Sequence, residues 1–154
     1  MKFGFFDNGV GFRGTTRAII EYAKIAQSIQ KDIEPIFYFN KKLKTNDLRI
    51  CRQMINSGIE VKPIDSREQL INEEIDLLYH VSSSDINGTK WLADLKYKTL
   101  LHQVGYQDPD QMNPDLFAYT SYWQSYYFTA SKSLVLPYIV NAPSDKEPTK
   151  KDAR

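Results

Sequence analysis

A glycine-rich turn near the amino terminus has the residue types and the spacing of a phosphate-binding loop. Residues 7–16 read DNGVGFRGTT, in which Gly9, Gly11 and Gly14 give G-x-G-x-x-G spacing. Glycines let a backbone turn sharply and approach an anion closely, and the first amides of a following helix direct unpaired donors toward it. The alternative interpretation is a tight strand-to-helix turn without a ligand.

Arginine and threonine side chains add to this turn. The guanidinium of Arg13 is a candidate phosphate partner because it forms paired hydrogen bonds with phosphate oxygens. A solvated loop side chain is the alternative for Arg13, while Arg17, one turn into the helix, is typical of the surface. Thr15 or Thr16 is expected to cap the helix.

The two histidines of the chain, His80 and His102, each lie near the carboxyl end of a predicted strand. A histidine titrates near neutral pH and is a candidate general base. Ser82 offers a hydroxyl for sugar or phosphate oxygens, and Tyr106 lies in the turn after the strand of His102. A hydrogen-bonded structural role is the alternative for each histidine.

Aromatic side chains are concentrated between residues 97 and 138. Tyr122, Trp123 and Tyr126 are candidates for stacking on a sugar or a nucleobase. Clusters of this kind are also typical of cores and interfaces, so packing is the alternative.

Several classes of function find no basis in the sequence. No group of Cys, His and carboxylate residues has metal-ligand spacing, so we expect no metal site, and we expect no cofactor. The G-x-S-x-G and G-x-x-x-x-G-K-[ST] motifs are absent. The 20 basic and 19 acidic residues nearly balance, which argues against nucleic acid or an anionic membrane as a partner.

The single cysteine, Cys51, excludes an internal disulfide and is typical of a reducing compartment. The chain has no apolar run of the signal-peptide type and no stretch of about 18 apolar residues that could span a membrane. We therefore expect a cytoplasmic protein without a transmembrane segment.

The candidate residues must be positioned by the predicted strands and helices, which alternate along the chain. The predicted strands span residues 2–6, 35–39, 59–64, 75–81 and 99–104. The predicted helices span residues 15–29, 46–56 and 66–72. Strands separated by helix-length segments imply right-handed crossovers, so the sequence predicts an α/β fold, a Rossmann-like parallel sheet with helices on both faces in three layers.

The carboxyl-terminal part of the chain changes in character after Gly105. Residues 106–114 are predicted to form a loop, residues 116–128 a strand followed by a short helix, and residues 134–140 a last strand. Residues 141–154 lack periodicity and are predicted to form a flexible linker or tail. The predicted domain therefore spans residues 1–140.

Candidate chemistry is expected at one edge of this sheet. Ligands of open parallel sheets bind beyond the carboxyl ends of the strands, where the strand order reverses. The glycine-rich turn, both histidines and the aromatic segment lie near or after predicted strand ends, so we expect them to converge there.

Five segments resemble, in this order, the amino-terminal domain of GT-B-type glycosyltransferases. They read KFGFFDNGVGFRGTTRAIIEYA, DLLYHV, LLHQV, FAYTSYWQS and VLPYIVNAP. The resemblance covers residues 1 to about 143, and the last segment is similar to the strand that precedes the interdomain linker. In this family two Rossmann-like domains face each other across a cleft, the first mainly holding the acceptor and the second mainly holding the nucleotide-sugar donor.

The resemblance implies roles for individual residues. Gly11, Arg13, Gly14 and Thr15 would line the cleft near the donor pyrophosphate. His80 and His102 would be candidates for contacting the acceptor hydroxyl. The expected partners are a nucleotide-sugar donor and a glycan or other hydroxyl acceptor.

The family's carboxyl-terminal domain, with its paired glutamates that bind the donor ribose and sugar, has no counterpart in these residues. We therefore expect a second domain or a partner subunit, without which the domain is not expected to be active.

Two other functions stay open at this stage. A nicotinamide-dependent oxidoreductase requires an acid at the end of the second strand, where this chain has Asn40, Lys41 and Lys42; Glu34 precedes that strand. Lysines would suit a cofactor that carries an additional phosphate. A non-catalytic interaction module is the other alternative, based on the aromatic segment and the tail.

Overall fold

The chain folds around one parallel sheet in the computed structural model, which describes residues 1–82, 91–92, 94–103, 114–127 and 133–137. The strands are β1 (Lys2–Asp7), β2 (Glu34–Asn40), β3 (Glu60–Ile64), β4 (Leu77–Ser82), β5 (Lys98–Gln103), β6 (Leu116–Tyr119) and β7 (Ser133–Val135). The helices are α1 (Gly14–Ile29), α2 (Leu48–Asn56), α3 (Tyr122–Tyr127) and a 3₁₀ helix, Arg67–Asn72. The predicted α/β class with a Rossmann-like parallel sheet is confirmed.

The strand order of the sheet is β3-β2-β1-β4-β5-β6-β7, and every pairing is parallel. From β1 the chain proceeds outward to β2 and β3, and it then returns to the other side of β1 to form β4. The order therefore reverses between β1 and β4, where Phe6 pairs with His80. This edge is the expected ligand position in such sheets.

Helices α1 and α2 cover one face of the sheet. Their buried side chains join those of the strands in one core cluster, which includes Ala18, Ile19, Tyr22, Ile50 and Met54. These positions recur every three or four residues, so each helix presents one apolar stripe to the strands.

The other face of the sheet carries a second core cluster. Leu70 of the 3₁₀ helix, together with Trp91 and Leu92, covers strand residues such as Leu78 and Leu101. The two clusters alternate along each strand because successive side chains point to opposite faces.

Two apolar residues of the predicted helix 46–56 lie outside the core. Leu48 and Ile55 are 65% and 57% exposed, whereas Ile50, Cys51 and Met54 are buried. The helix begins at Leu48 rather than at residue 46, because the Asp47 side chain caps it by accepting a hydrogen bond from the Arg49 amide at 2.9 Å.

The carboxyl-terminal elements agree in part with the predicted ones. Strand β6 and helix α3 fall within the predicted segment 116–128. Strand β7 ends at Val135, and residues 138–140 of the predicted last strand lie outside the described residues. The predicted linker, residues 141–154, also lies outside them, so the domain boundary stays a prediction.

Candidate functional site

Asp7, the last residue of β1, fastens the glycine-rich loop to the start of α1. Its carboxylate accepts hydrogen bonds from Thr15 Oγ1 at 3.1 Å and from Arg13 Nη2 at 3.3 Å. Burial raises the pKa of Asp7, while the Arg13 guanidinium and the Thr15 hydroxyl oppose the rise. Thr15 therefore serves the loop's own structure, and its side chain does not cap the helix.

Arg13 is anchored through one end of its guanidinium. Nη2 contacts Asp7 and also donates to the carbonyl of Gly9. Half of the side chain is nevertheless exposed. In the described part of the chain no hydrogen bond is formed by Nε or Nη1, so these two donors are unpaired on a guanidinium that Nη2 anchors.

The loop is also tied to the segment that precedes α2. The Val10 amide donates to Asn46 Oδ1 at 2.9 Å, and the Asp47 amide donates to the Val10 carbonyl at 2.9 Å. Asn46 Nδ2 donates in turn to the carbonyl of Asn40 at the end of β2. The loop is thus bound to the segment before α2, and that segment is bound in turn to the end of β2.

The three glycines of the motif have different surroundings. A Cβ on Gly9 would lie 3.1 Å from both Asn46 Oδ1 and Leu43 Cδ1, so a larger residue would require these side chains to shift. Among the described residues, a Cβ on Gly11 would meet its nearest neighbour only at 4.0 Å, and one on Gly14 would meet nothing within 4 Å. Neither has a positive φ. The chain's own packing therefore does not explain Gly11 and Gly14, which border open space.

The open space forms a groove between the beginnings of α1 and α2, here called the α1–α2 groove. Its volume is about 360 Å³, and it is lined by Gly11, Phe12, Arg13, Gly14, Thr16, Arg17, Ile20, Glu21, Ile50 and Gln53. The structure thus brings together Gly11, Arg13 and Gly14 of the predicted site, while the hydroxyl of Thr15 is bonded to Asp7 instead.

The sequence motifs do not single out three residues of this region. Asp7 belongs to the glycine-rich turn, and its position at the end of a buried strand is the signal that could have identified it. Phe12 is 75% exposed, and the Arg49 guanidinium lies over its ring, with Arg49 Cζ 5.4 Å from the ring centroid of Phe12. Thr16 was expected only as a cap, yet it lies in the wall of the groove.

His80 is enclosed in the core cluster on the 3₁₀-helix face. Its Nδ1 lies 3.4 Å from the carbonyl oxygen of Phe6, and its ring lies 5.2 Å from the Phe6 ring and 5.5 Å from the Trp91 ring. Burial lowers the pKa of His80 to about 4. The imidazole is therefore neutral at physiological pH.

His102 is fully buried on the opposite face. Its Nδ1 lies 2.5 Å from the hydroxyl oxygen of Tyr79, and burial lowers the pKa of His102 to about 4 against a hydrogen bond with the Leu136 backbone. In the strand register His102 pairs with Val81, and His80 pairs with Leu101. The two imidazoles consequently point to different sides of the sheet, and the structure does not bring them together.

The remaining predicted site residues lie at the same edge or outside the described residues. Ser82 ends β4 and pairs with Gln103 of β5. Tyr106 lies outside the described residues. The roles assigned to these residues and to the histidines stay predictions.

The aromatic residues of α3 lie on the surface. Tyr122 and Tyr126 are each 81% exposed, and Trp123 is 51% exposed. Helix α3 begins three residues after the carboxyl end of β6, so it belongs to the same edge of the sheet as the glycine-rich loop.

The end of β2 lacks the features of a dinucleotide site. Asn40 stands where an acid is expected, and Glu34 begins the strand at its other end. The lysines that follow are paired with Asp65, at 2.8 Å from Lys41 and 3.7 Å from Lys42. The single carboxylate thus offsets one of their two positive charges.

The described residues contain neither a candidate metal site nor a candidate membrane-spanning helix. Within the described ranges, no cluster of three or more His, Cys, Asp or Glu residues is arranged to hold a metal ion. None of the helices in these ranges combines the length and the apolar character needed to cross a membrane. Comparison with known proteins found no matching family model, no similar curated protein and no similar solved structure.

Proposed function

We propose that this chain is the acceptor-side domain of a GT-B-type glycosyltransferase, which transfers a sugar from a nucleotide-sugar donor to a glycan or another hydroxyl acceptor. A second domain or a partner subunit would complete the cleft. The observation that carries the proposal is the open α1–α2 groove beside the glycine-rich loop that follows β1, where two glycines border space that no described residue fills.

The proposed chemistry requires stabilisation of a leaving diphosphate. Breakage of the bond between the sugar carbon and the diphosphate places negative charge on the phosphate oxygens, and fixed donors stabilise such charge best. The amides at the start of α1 and the unpaired Nε and Nη1 of Arg13 are donors of this kind. Asp7 holds Arg13 in place, so the guanidinium needs little reorganisation when the charge develops.

The acceptor would bind nearer to β4, β5 and β6. The exposed faces of Tyr122, Trp123 and Tyr126 are suited to stacking on a sugar ring at this edge. His80 and His102 are proposed only as candidates for contacting the acceptor hydroxyl. Both are buried, and burial lowers each pKa to about 4, so each imidazole would be unprotonated but only weakly basic near neutral pH.

The proposal can be tested by following amide NMR shifts during titration with nucleotide sugars, nucleoside diphosphates and oligosaccharides. We expect donors to shift amides in residues 9–17 and acceptors to shift amides around α3. A donor analogue in which the diphosphate is replaced by a neutral linker is the control and should leave residues 9–17 unchanged. No response of these residues to millimolar nucleotide sugar would contradict donor contact.

A non-catalytic interaction module is the second candidate, and the exposure of the α3 aromatics favours it. Such a module would bind a second polypeptide, or a second copy of itself, through Tyr122, Trp123 and Tyr126. Sedimentation velocity over a range of concentrations tests self-association, with a Tyr122→Ser, Tyr126→Ser variant as the control. Concentration-dependent association that the variant abolishes would favour this function.

A further inference from the structure

We infer that the α1–α2 groove binds a phosphate group through Thr16, Arg17 and the first amides of α1. The inference deepens the proposed function and rests on it only for the identity of the molecule that carries the phosphate. It assigns ligand contacts to two residues of the helix, in addition to the loop residues that the sequence indicates.

The first amides of α1 have no side chain that caps them. Arg13, the residue before the helix, makes no capping hydrogen bond with its side chain, and no acidic residue lies in the first turn. The first intrahelical bond to the loop runs from the Arg17 amide to the Arg13 carbonyl at 3.1 Å. The preceding amides therefore have no helical acceptor, and the helix of 16 residues adds a partial positive charge.

Thr16 provides a second, independent indication of a ligand. The residue is 1% exposed, and it lies in the wall of the groove. Its Oγ1 has no hydrogen-bond partner among the residues that the structure describes. A buried hydroxyl without a partner is unfavourable, and a phosphate oxygen in the groove would satisfy it.

The charges around the groove leave one arginine uncompensated. Arg13 is paired with Asp7, and Glu21 is paired with Lys24 at 3.4 Å. Arg17 lies in the groove wall between these pairs and forms no ion pair within the described ranges. The excess of one positive charge favours an anion, and a guanidinium is well shaped for phosphate oxygens.

The shape of the groove suits a phosphate that belongs to a larger molecule. The space over Gly14 admits a close approach to the backbone, since nothing lies within 4 Å of a Cβ built there. The volume of about 360 Å³ leaves room beside the phosphate, and the exposed ring of Phe12 borders this room.

The experiment measures binding of inorganic phosphate, and separately of uridine diphosphate, by amide NMR shifts at constant ionic strength set with chloride. We expect both to shift the amides of residues 14–17, with tighter binding of the diphosphate. Arg17→Ala should weaken binding about tenfold, the usual effect of losing one hydrogen bond to a charged group. Arg52→Ala removes an exposed arginine of α2 outside the groove and should change binding by less than about twofold.

The variants Thr16→Val and Thr16→Ser distinguish the contribution of the hydroxyl to phosphate binding from that of side-chain packing. Valine keeps the shape of the side chain and should weaken phosphate binding, whereas serine keeps the hydroxyl and should restore most of it. Unfolding curves of both variants show whether the fold is retained.

The possible outcomes are distinct. Equal binding by Arg17→Ala and Arg52→Ala, or no shift of residues 14–17 with millimolar phosphate, would overturn the phosphate site. Nucleotide sugars that shift residues 9–13 but not residues 14–17 would also overturn it, while leaving the proposed function standing. Phosphate binding at residues 14–17 without any binding of nucleotide sugars would uphold the site and contradict the proposed function.

Discussion

At the scale of single residues, Asp7 is the organising side chain of the glycine-rich loop. It lies at the end of β1 and contacts both Arg13 and Thr15. Burial of this carboxylate removes water and thereby destabilises its ionised form, whereas the contacts with Arg13 and Thr15 stabilise that form. The balance of these effects is open to measurement.

We predict that Asp7→Asn changes the pH dependence of stability. Burial raises the pKa of Asp7 above its ordinary 3.8 in the folded state, so the folded state binds the proton more tightly than the unfolded state. The corresponding stability is fully present below pH 3.8 and is lost as the pH rises through the raised pKa. The free energy of unfolding of the variant relative to the natural chain should therefore increase between about pH 4 and about pH 7.

Urea unfolding of both proteins at several pH values in this range provides the measurement. Subtracting the two curves removes the contribution of the other titrating groups. A relative free energy that decreases toward neutral pH would mean that the ion pair with Arg13 outweighs burial.

We predict opposite effects for alanine at two glycines of the motif. Gly9→Ala places a Cβ 3.1 Å from Asn46 and Leu43, so the free energy of unfolding should fall by about 1 kcal/mol. Gly14→Ala meets no atom within 4 Å and begins a helix, so stability should stay unchanged or rise by up to about 1 kcal/mol. Parallel urea unfolding at one pH compares them, and equal destabilisation by both would contradict the packing argument.

At the scale of elements, helix α2 shows what its sequence pattern can and cannot specify. The pattern correctly indicates a helix that ends before Gly58, because glycine readily takes the positive φ that follows a helix. It does not indicate that Asn46 binds the glycine-rich loop and therefore stays outside the helix. The contact between Val10 and Asn46 joins residues 36 positions apart, so a local sequence pattern cannot predict it.

Gly58 gives a test at this scale. Its φ of +78° is a left-handed conformation, which costs other residues about 1 to 2 kcal/mol. We expect Gly58→Ala to lower the free energy of unfolding by about 1 kcal/mol and Gly58→Asn to lower it less, since asparagine tolerates this region better. Thermal and urea unfolding of the two variants measure the difference, and identical losses would show that backbone conformation is not the cause.

At the scale of the whole molecule, the sheet determines which candidate residues meet. Alternation of strands and helices predicts the parallel sheet and places the glycine-rich loop at its carboxyl edge. The positions of the histidines depend on the register of β4 and β5, in which His80 lies opposite Leu101 rather than His102. Single-sequence patterns do not fix register between strands, so the separation of the two imidazoles could not be predicted.

Some aromatic side chains lie in the core and others on the surface. The two tryptophans provide one fluorescent probe of each environment. Trp91 is 7% exposed beside Phe6 and His80, whereas Trp123 is 51% exposed on α3. In Trp91→Phe the remaining indole is that of Trp123, and we expect long-wavelength emission that iodide quenches strongly. In Trp123→Phe we expect short-wavelength emission that iodide barely quenches.

Quenching constants of the two single-tryptophan variants, measured against a free tryptophan derivative, decide between a surface and a packed aromatic segment. Because α3 follows the carboxyl end of β6, an exposed Trp123 places a stacking face on the edge that carries the α1–α2 groove. Equal protection of both indoles would remove the basis for an acceptor or a partner at α3, while the phosphate site at α1 would be unaffected.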